Sequence, residues 1–103
     1  MHPVVRRQLP LIIESCKRHH VRRLALFGSA LDDTFDPVRS DLDLLIDFEP
    51  LEPGDHARHY LDLIVELEEA LGRRVDVVER HMLKNRYVRA SVDKHHLVLY
   101  DAA

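Results

Sequence analysis

The stretch LALFGSALDDTFDPVRSDLDLLIDF, residues 24–48, decides the fold of this 103-residue chain. It predicts a strand over 24–27, a turn at Gly28-Ser29, a connection over 30–40 and a second strand over 41–48. Asp41 and Asp43 open the second strand, and side chains two residues apart on a strand point to the same face, about 6 to 7 Å apart. Carboxylates at that spacing can bind a shared pair of divalent metal ions. The stretch therefore indicates metal-dependent chemistry.

The turn between the two strands suits a phosphate-bearing ligand. Gly28 lets the backbone approach a ligand closely, and Ser29 adds a hydroxyl donor beside it. A phosphate chain could therefore lie next to metals held by Asp41 and Asp43. The acids of the connection, Asp32 and Asp33, are interpreted as solvated turn residues and not as metal ligands.

Composition and charge narrow the class of protein. The length predicts one domain over residues 1–103. A net charge of −3 argues against binding of long nucleic acid, which requires clustered Lys and Arg. No apolar run is long enough for a membrane span, and the first residues lack the apolar block of a signal peptide, so we expect a cytoplasmic protein with no membrane partner.

The cysteine and the histidines give no metal signature. Cys16 is the single cysteine, which excludes an internal disulfide, and its apolar neighbours predict a buried helix position. The eight histidines are interpreted as surface residues because their spacing lacks a third ligand. They include two adjacent pairs, His19-His20 and His95-His96, and one i,i+3 pair, His56 and His59.

The rest of the chain predicts helices that alternate with strands. Helical spacing covers residues 4–19, where Pro10 predicts a kink or a fresh start, and residues 58–71, which end at Gly72. Pro53 and Gly54 are interpreted as loop. A third strand is predicted over 74–79, a helix over 82–94 and a short strand over 97–100. The fold class is α/β (α+β): a mixed sheet of about four strands with helices mainly on one face and the carboxylates on the other.

The third strand contains an acid where none is expected. Asp76 lies in the β-branched run VDVV, and a local rule broken in this way often marks a site. The alternative is an edge-strand residue that faces water. Three acids on two strands would supply enough charge to hold two metal ions.

Together these residues resemble the minimal nucleotidyltransferase family, a compact branch of the polymerase-beta-like superfamily. The resemblance is carried by Gly28-Ser29, by Asp41 and Asp43 before an apolar run, and by LGRRVDVV at residues 71–78. It implies that Gly28 and Ser29 bind the triphosphate, that Asp41 and Asp43 bind two Mg²⁺ ions, and that Asp76 completes the catalytic metal site.

The resemblance also implies a setting. Proteins of this family are commonly paired with a helical HEPN-type ribonuclease toxin and act as its antitoxin. We therefore expect transfer of AMP from ATP to a tyrosine or serine hydroxyl of such a toxin, with pyrophosphate as the leaving group. Two alternatives stay open: a binding antitoxin that neutralises its partner by contact, and transfer to a small molecule such as an aminoglycoside. Since only a helix and a strand are predicted after Asp76, we expect the acceptor to be positioned by its own surface or by a second copy in a homodimer.

Overall fold

The computed structural model describes residues 1–31 and 35–102. In chain order its elements are α1 (Pro3–Arg18), β1 (Val21–Phe27), β2 (Leu42–Phe48), α2 (Pro53–Leu71), β3 (Val75–Glu79), α3 (Arg86–Lys94) and β4 (Leu97–Asp101), with short 3-10 helices at Gly28–Leu31 and Arg80–Met82. Asp32 and Asp33, predicted to be solvated turn residues, lie outside the described residues. No helix in the described part of the chain is long and apolar enough to cross a membrane.

The four strands form one sheet in the order β3-β2-β1-β4. β2 and β3 run parallel, joined by α2, while β1 pairs antiparallel with both β2 and β4. The predicted mixed sheet of about four strands is confirmed. β2, which opens with the acid pair, lies at the interior of the sheet, whereas β3 and β4 form its edges.

The two faces of the sheet differ as the alternation of β2 predicts. Leu42, Leu44 and Ile46 are completely buried on one face, where α1 and α2 cover the sheet with apolar side chains such as Ile12 and Leu63. The next residues along β2 point to the other face, because side chains alternate along a strand. The prediction that helices pack mainly on one face, opposite the carboxylates, is therefore confirmed.

The structure excludes one of the two alternatives predicted for the first helix and moves the start of the second helix. α1 is one continuous helix that includes Pro10, so no fresh start occurs there. α2 begins at Pro53, and the interpretation of Pro53 and Gly54 as loop is wrong. Proline is favoured in the first turn of a helix, because N–H groups there form no hydrogen bond within the helix and the absence of one breaks no such bond. At the other end Gly72 ends α2 as predicted, with φ 66° and its N–H donating to Glu68 O at 3.0 Å.

The last helix is shorter than predicted. α3 begins at Arg86 and not near residue 82, because the Asn85 side chain caps it by accepting from the N–H groups of Tyr87 at 2.9 Å and Val88 at 3.3 Å. Residues 80–82 form a separate 3-10 turn. The short terminal strand is confirmed as β4.

Candidate active site

The predicted site residues meet at one end of the strands. β2 and β3 begin at this end, and β1, which runs in the opposite direction, finishes there. The register pairs Asp43 with Asp76 on β3 and with Phe27 on β1. Since paired residues share a face and neighbouring strands lie about 4.8 Å apart, Asp76, Asp43 and Phe27 form a row across three strands. Asp41 lies immediately before β2, two residues from Asp43.

The three acids carry negative charge, and in the described part of the chain no cationic side chain is paired with them. Asp41 and Asp76 are exposed, whereas Asp43 is half-buried. Burial, together with the negative charges of Asp76 and then Asp41, raises the pKa of Asp43 from 3.8 to about 6. Within residues 1–31 and 35–102, no Lys, Arg or His forms an ion pair with any of the three. Such a group of acids favours the binding of a cation.

Gly28 lies directly against the Asp43 carboxylate. Its φ of +74° is a left-handed conformation that side chains other than glycine rarely adopt. A Cβ on residue 28 would lie 3.1 Å from Asp43 Cγ and closer still to Oδ2. Gly28 therefore allows the end of β1 to approach Asp43, and the backbone leads from there into the 3-10 helix that contains Ser29.

The N-terminus of α1 holds this turn in place. The backbone N–H of His2 donates to Ala30 O at 3.1 Å, two residues after Gly28. The His2 ring also packs against buried Phe35, with ring centroids 5.1 Å apart. The turn at Gly28-Ser29 is thus fixed from both sides, by β1 before it and by α1 after it.

The acids fit Mg²⁺ as ligands shared with a substrate. Among the described residues, no three His, Cys, Asp or Glu side chains are already arranged to hold a metal ion. Mg²⁺, however, is usually bound by one or two carboxylates together with substrate phosphates and water, and seldom by a cage made of protein alone. A row of unpaired carboxylates beside a glycine turn is suited to that mode of binding.

The structure therefore brings together all five predicted residues, while their individual roles stay predictions. β3 is an edge strand and Asp76 is exposed, as the alternative interpretation of this acid also expected. The alignment of Asp76 with Asp43 favours the interpretation of Asp76 as a site residue over that of a solvated edge-strand residue. Sequence reasoning missed Phe27, although its position one residue before the glycine was a usable signal.

Several histidines are not the simple surface residues that were predicted. His19 and His59 lie with their Nδ1 atoms 3.1 Å apart, and His19 also contacts Glu66. His56 Nε2 lies 2.6 Å from Oε1 of Glu79, a buried acid. These contacts lie between elements distant in sequence, which spacing along the chain cannot reveal.

Cys16 occupies the position that its apolar neighbours predicted. It is completely buried in the core between α1 and the sheet. Burial raises the pKa of its thiol to about 12. The prediction of a buried helix cysteine is confirmed.

Known proteins share the fold and the sequence pattern of this chain. The family model described as nucleotidyltransferase domain matches residues 9–99. Two proteins of Methanocaldococcus jannaschii, provisionally named protein adenylyltransferases, are similar in sequence. One is 31% identical over 77 residues, covering 75% of this chain and 75% of that protein. The other is 30% identical over 100 residues, covering 90% of this chain and 96% of that protein.

Solved structures agree with these sequence relatives. A structure described provisionally as a minimal nucleotidyltransferase is 35% identical, with a TM-score of 0.65 over 90% of each chain. A chain of the MntA-HepT toxin–antitoxin has the same fold, with a TM-score of 0.63 and 20% identity, covering 94% of this chain and 73% of that one. A toxin–antitoxin with AMP-PNP gives a TM-score of 0.67 at 20% identity, covering 91% and 73%. The chain therefore belongs to the nucleotidyltransferase domain family, as a minimal nucleotidyltransferase.

Proposed function

We propose that this protein transfers AMP from ATP to a hydroxyl side chain of a HEPN-type toxin and acts as the toxin's antitoxin. Tyrosine is the first candidate for the modified residue. The observation that carries the proposal is the row formed by Asp76, Asp43 and Phe27, with Asp41 beside it and Gly28 against the Asp43 carboxylate. The row places unpaired acids next to a backbone turn that can approach phosphates closely. This is the arrangement that nucleotidyl transfer requires.

Each residue of the site would have a separate task. Asp41, Asp43 and Asp76 would hold two Mg²⁺ ions, which when bound neutralise phosphate charge and lower the pKa of the acceptor hydroxyl. Gly28 leaves room for the phosphate chain, and the Ser29 hydroxyl donates a hydrogen bond to it. Asp76 lies on β3, which β2 separates from β1 and Gly28, and it takes the proton of the acceptor hydroxyl. The acceptor oxygen then bonds to the α-phosphorus, the bond from that phosphorus to the bridging oxygen breaks, and pyrophosphate leaves.

Two kinds of relative support a protein acceptor. The relatives at 30 and 31% identity are provisionally named protein adenylyltransferases, and chains of the same fold occur in toxin–antitoxin structures. The site itself is open: Asp41, just before β2, and Asp76, near the start of β3, are both exposed. A small acceptor would gain little binding energy there, whereas a protein can bury the roughly 1,200 to 2,000 Å² of a standard interface.

The test uses the purified protein together with the protein encoded by the neighbouring gene, as the candidate toxin. Both are incubated with ATP and Mg²⁺, and their intact masses are measured before the modified peptide is mapped. We expect the toxin to gain the mass of AMP on a hydroxyl side chain, and the gain to disappear with EDTA. The matched control is Asp43→Asn, which removes the central carboxylate while keeping the shape of the side chain.

Three other outcomes would separate the alternatives. A tight complex without a mass gain on either protein would show an antitoxin that acts by contact. Modification of a free aminoglycoside with no mark on any protein would show a small-molecule enzyme. Equal modification by the parent and by Asp43→Asn would place catalysis outside the acid row.

A further inference from the structure

Three histidines and a glutamate converge at the end of β1 opposite the acid row. His19 and His20 lie between α1 and β1, whereas His59 and Glu66 lie on α2. The acid row adjoins Gly28 at the other end of β1, and a seven-residue strand spans about 20 Å. The histidine cluster is therefore separate from the proposed nucleotide site.

Glu66 fixes the tautomer of His19. One carboxylate oxygen, Oε1, accepts from Arg18, and the other, Oε2, contacts Nε2 of His19. An ionised carboxylate only accepts hydrogen bonds, so Nε2 carries the proton and Nδ1 of the neutral ring carries a lone pair. A carboxylate that holds one imidazole nitrogen in this way is the usual support of a histidine that binds a metal ion through its other nitrogen.

The free nitrogen of His19 faces a second imidazole. Its Nδ1 lies 3.1 Å from Nδ1 of His59, a residue 40 positions later in the chain. Two nitrogens that each bind one tetrahedral Zn²⁺ ion at about 2.0 to 2.1 Å lie about 3.3 to 3.4 Å from each other. The two rings are therefore already close to the spacing of two ligands of one ion.

His20 supplies a third imidazole. Its ring centroid lies 4.9 Å from that of His59, in an edge-on arrangement. Among the described residues His20 alone combines a side chain with a positive φ, 58°, and such strained residues cluster at functional sites. No three described ligands are yet arranged around one point, but His20 is exposed, so its side chain can rotate towards the two nitrogens.

We propose that His19, His59 and His20 bind a divalent transition-metal ion, Zn²⁺ in the first place, and that Glu66 orients His19. Imidazole nitrogens suit Zn²⁺, whereas Mg²⁺ requires oxygen ligands, so this site differs in chemistry from the acid row. A bound ion would connect the end of α1 to α2 and thereby stabilise the folded chain. The site is independent of the proposed function.

The test measures Zn²⁺ binding to the untagged protein by calorimetry in excess Mg²⁺, which occupies the acid row. We expect one Zn²⁺ per chain. His59→Gln should weaken its binding by about tenfold or more, and so should His20→Asn, in which asparagine tolerates the left-handed backbone. Glu66→Gln, which alters only the support of His19, should weaken it by about tenfold. The matched control is His95→Gln, an exposed histidine directly after α3, which should bind Zn²⁺ as the parent does.

Thermal unfolding gives a second measurement. Zn²⁺ should raise the unfolding temperature of the parent but not that of His59→Gln, because an ion that binds only the folded state stabilises it. Should His59→Gln fail to fold, the exposed His20→Asn position decides the question. Asp43→Asn, which breaks the acid row, should bind Zn²⁺ as the parent does.

Three results would overturn the proposal. The parent binds no Zn²⁺ in excess Mg²⁺, and the contact between the two Nδ1 atoms is then a hydrogen bond between rings. His59→Gln and His20→Asn bind Zn²⁺ as tightly as the parent, which places the ion elsewhere. Asp43→Asn loses Zn²⁺ while the histidine variants keep it, which places the ion at the acid row.

Discussion

The three glycines of the chain give a matched test of the contact between Gly28 and Asp43. Gly28 and Gly72 both have positive φ, 74° and 66°, so an alanine at either position strains the backbone. They differ in their surroundings, because a Cβ at Gly72 meets no atom within 4 Å, whereas at Gly28 it would lie 3.1 Å from Asp43 Cγ. Gly54 has ordinary φ and open space, and it lies in the first turn of α2. Each is replaced by alanine.

The expected free-energy changes follow from these differences. Gly72→Ala has only the backbone strain, which costs about 1 to 2 kcal/mol. Gly28→Ala adds the displacement of the Asp43 side chain, and such overpacking costs about 1 to 3 kcal/mol, so its total is about 2 to 5 kcal/mol. Gly54→Ala should stabilise the protein by up to about 1 kcal/mol, because alanine is the better helix former.

Urea unfolding followed by circular dichroism in EDTA measures the free energy of unfolding of each variant. A further pair isolates the carboxyl group: in an Asp43→Ala background that group is absent, so Gly28→Ala should cost less than in the parent, with only the Cβ of residue 43 still close, at 3.3 Å. Mg-ATP affinity should fall in Gly28→Ala and stay at the parental value in Gly72→Ala. Equal costs for Gly28→Ala and Gly72→Ala in the parent would refute the close approach, and so would an unchanged cost in the Asp43→Ala background.

Three further predictions concern single side chains. In EDTA near pH 7, Asp43→Asn should be more stable than the parent by about 1 to 3 kcal/mol, because the parent's carboxylate is ionised there although its pKa is raised to about 6. Urea titrations should show this difference in the free energy of unfolding shrink as the pH falls through 6 towards 4. The control Asp62→Asn, on the exposed side of α2, should show no such trend. Ser29→Ala should weaken Mg-ATP binding by about 1.5 to 3 kcal/mol in calorimetry, and equal affinity would move the phosphate contact elsewhere. Cys16 should stay unreactive towards a thiol reagent near pH 8 until urea is added, since its pKa is about 12, and rapid labelling of the folded protein would contradict its burial.

Local patterns in the sequence predicted the secondary structure wherever burial repeats along one element. The alternation in β2 is an example: Leu42, Leu44 and Ile46 are completely buried, and the acids lie on the other side. Local signals failed where one residue type serves two purposes. Pro53 and Gly54 are common in loops, yet proline also suits the first turn of a helix, and here α2 begins with it. The start of α3 at Arg86 likewise depends on the cap formed by Asn85.

The residues of the candidate site and their convergence could be predicted, but the strand register that aligns them could not. Spacing placed Asp41 and Asp43 on one face, and the odd acid in a β-branched run drew attention to Asp76. The alignment of Asp43 with Asp76 depends on a parallel pairing between strands joined by α2, and no local pattern fixes that register. The contact of Gly28 with Asp43 is equally non-local.

The order of the strands assigns a direction to the proposed reaction. β2 lies between β1 and β3, so Phe27 and Asp76 are on opposite sides of Asp43. In phosphoryl transfer the attacking and leaving oxygens lie roughly in line through the phosphorus. In the proposed reaction the pyrophosphate leaves on the side of Gly28 and Ser29, so the acceptor hydroxyl would approach from the opposite side, across β3, where Asp76 could take its proton. β3 is an edge strand with no neighbour beyond it among the described residues, so a partner protein could reach the acids from that side without moving the nucleotide.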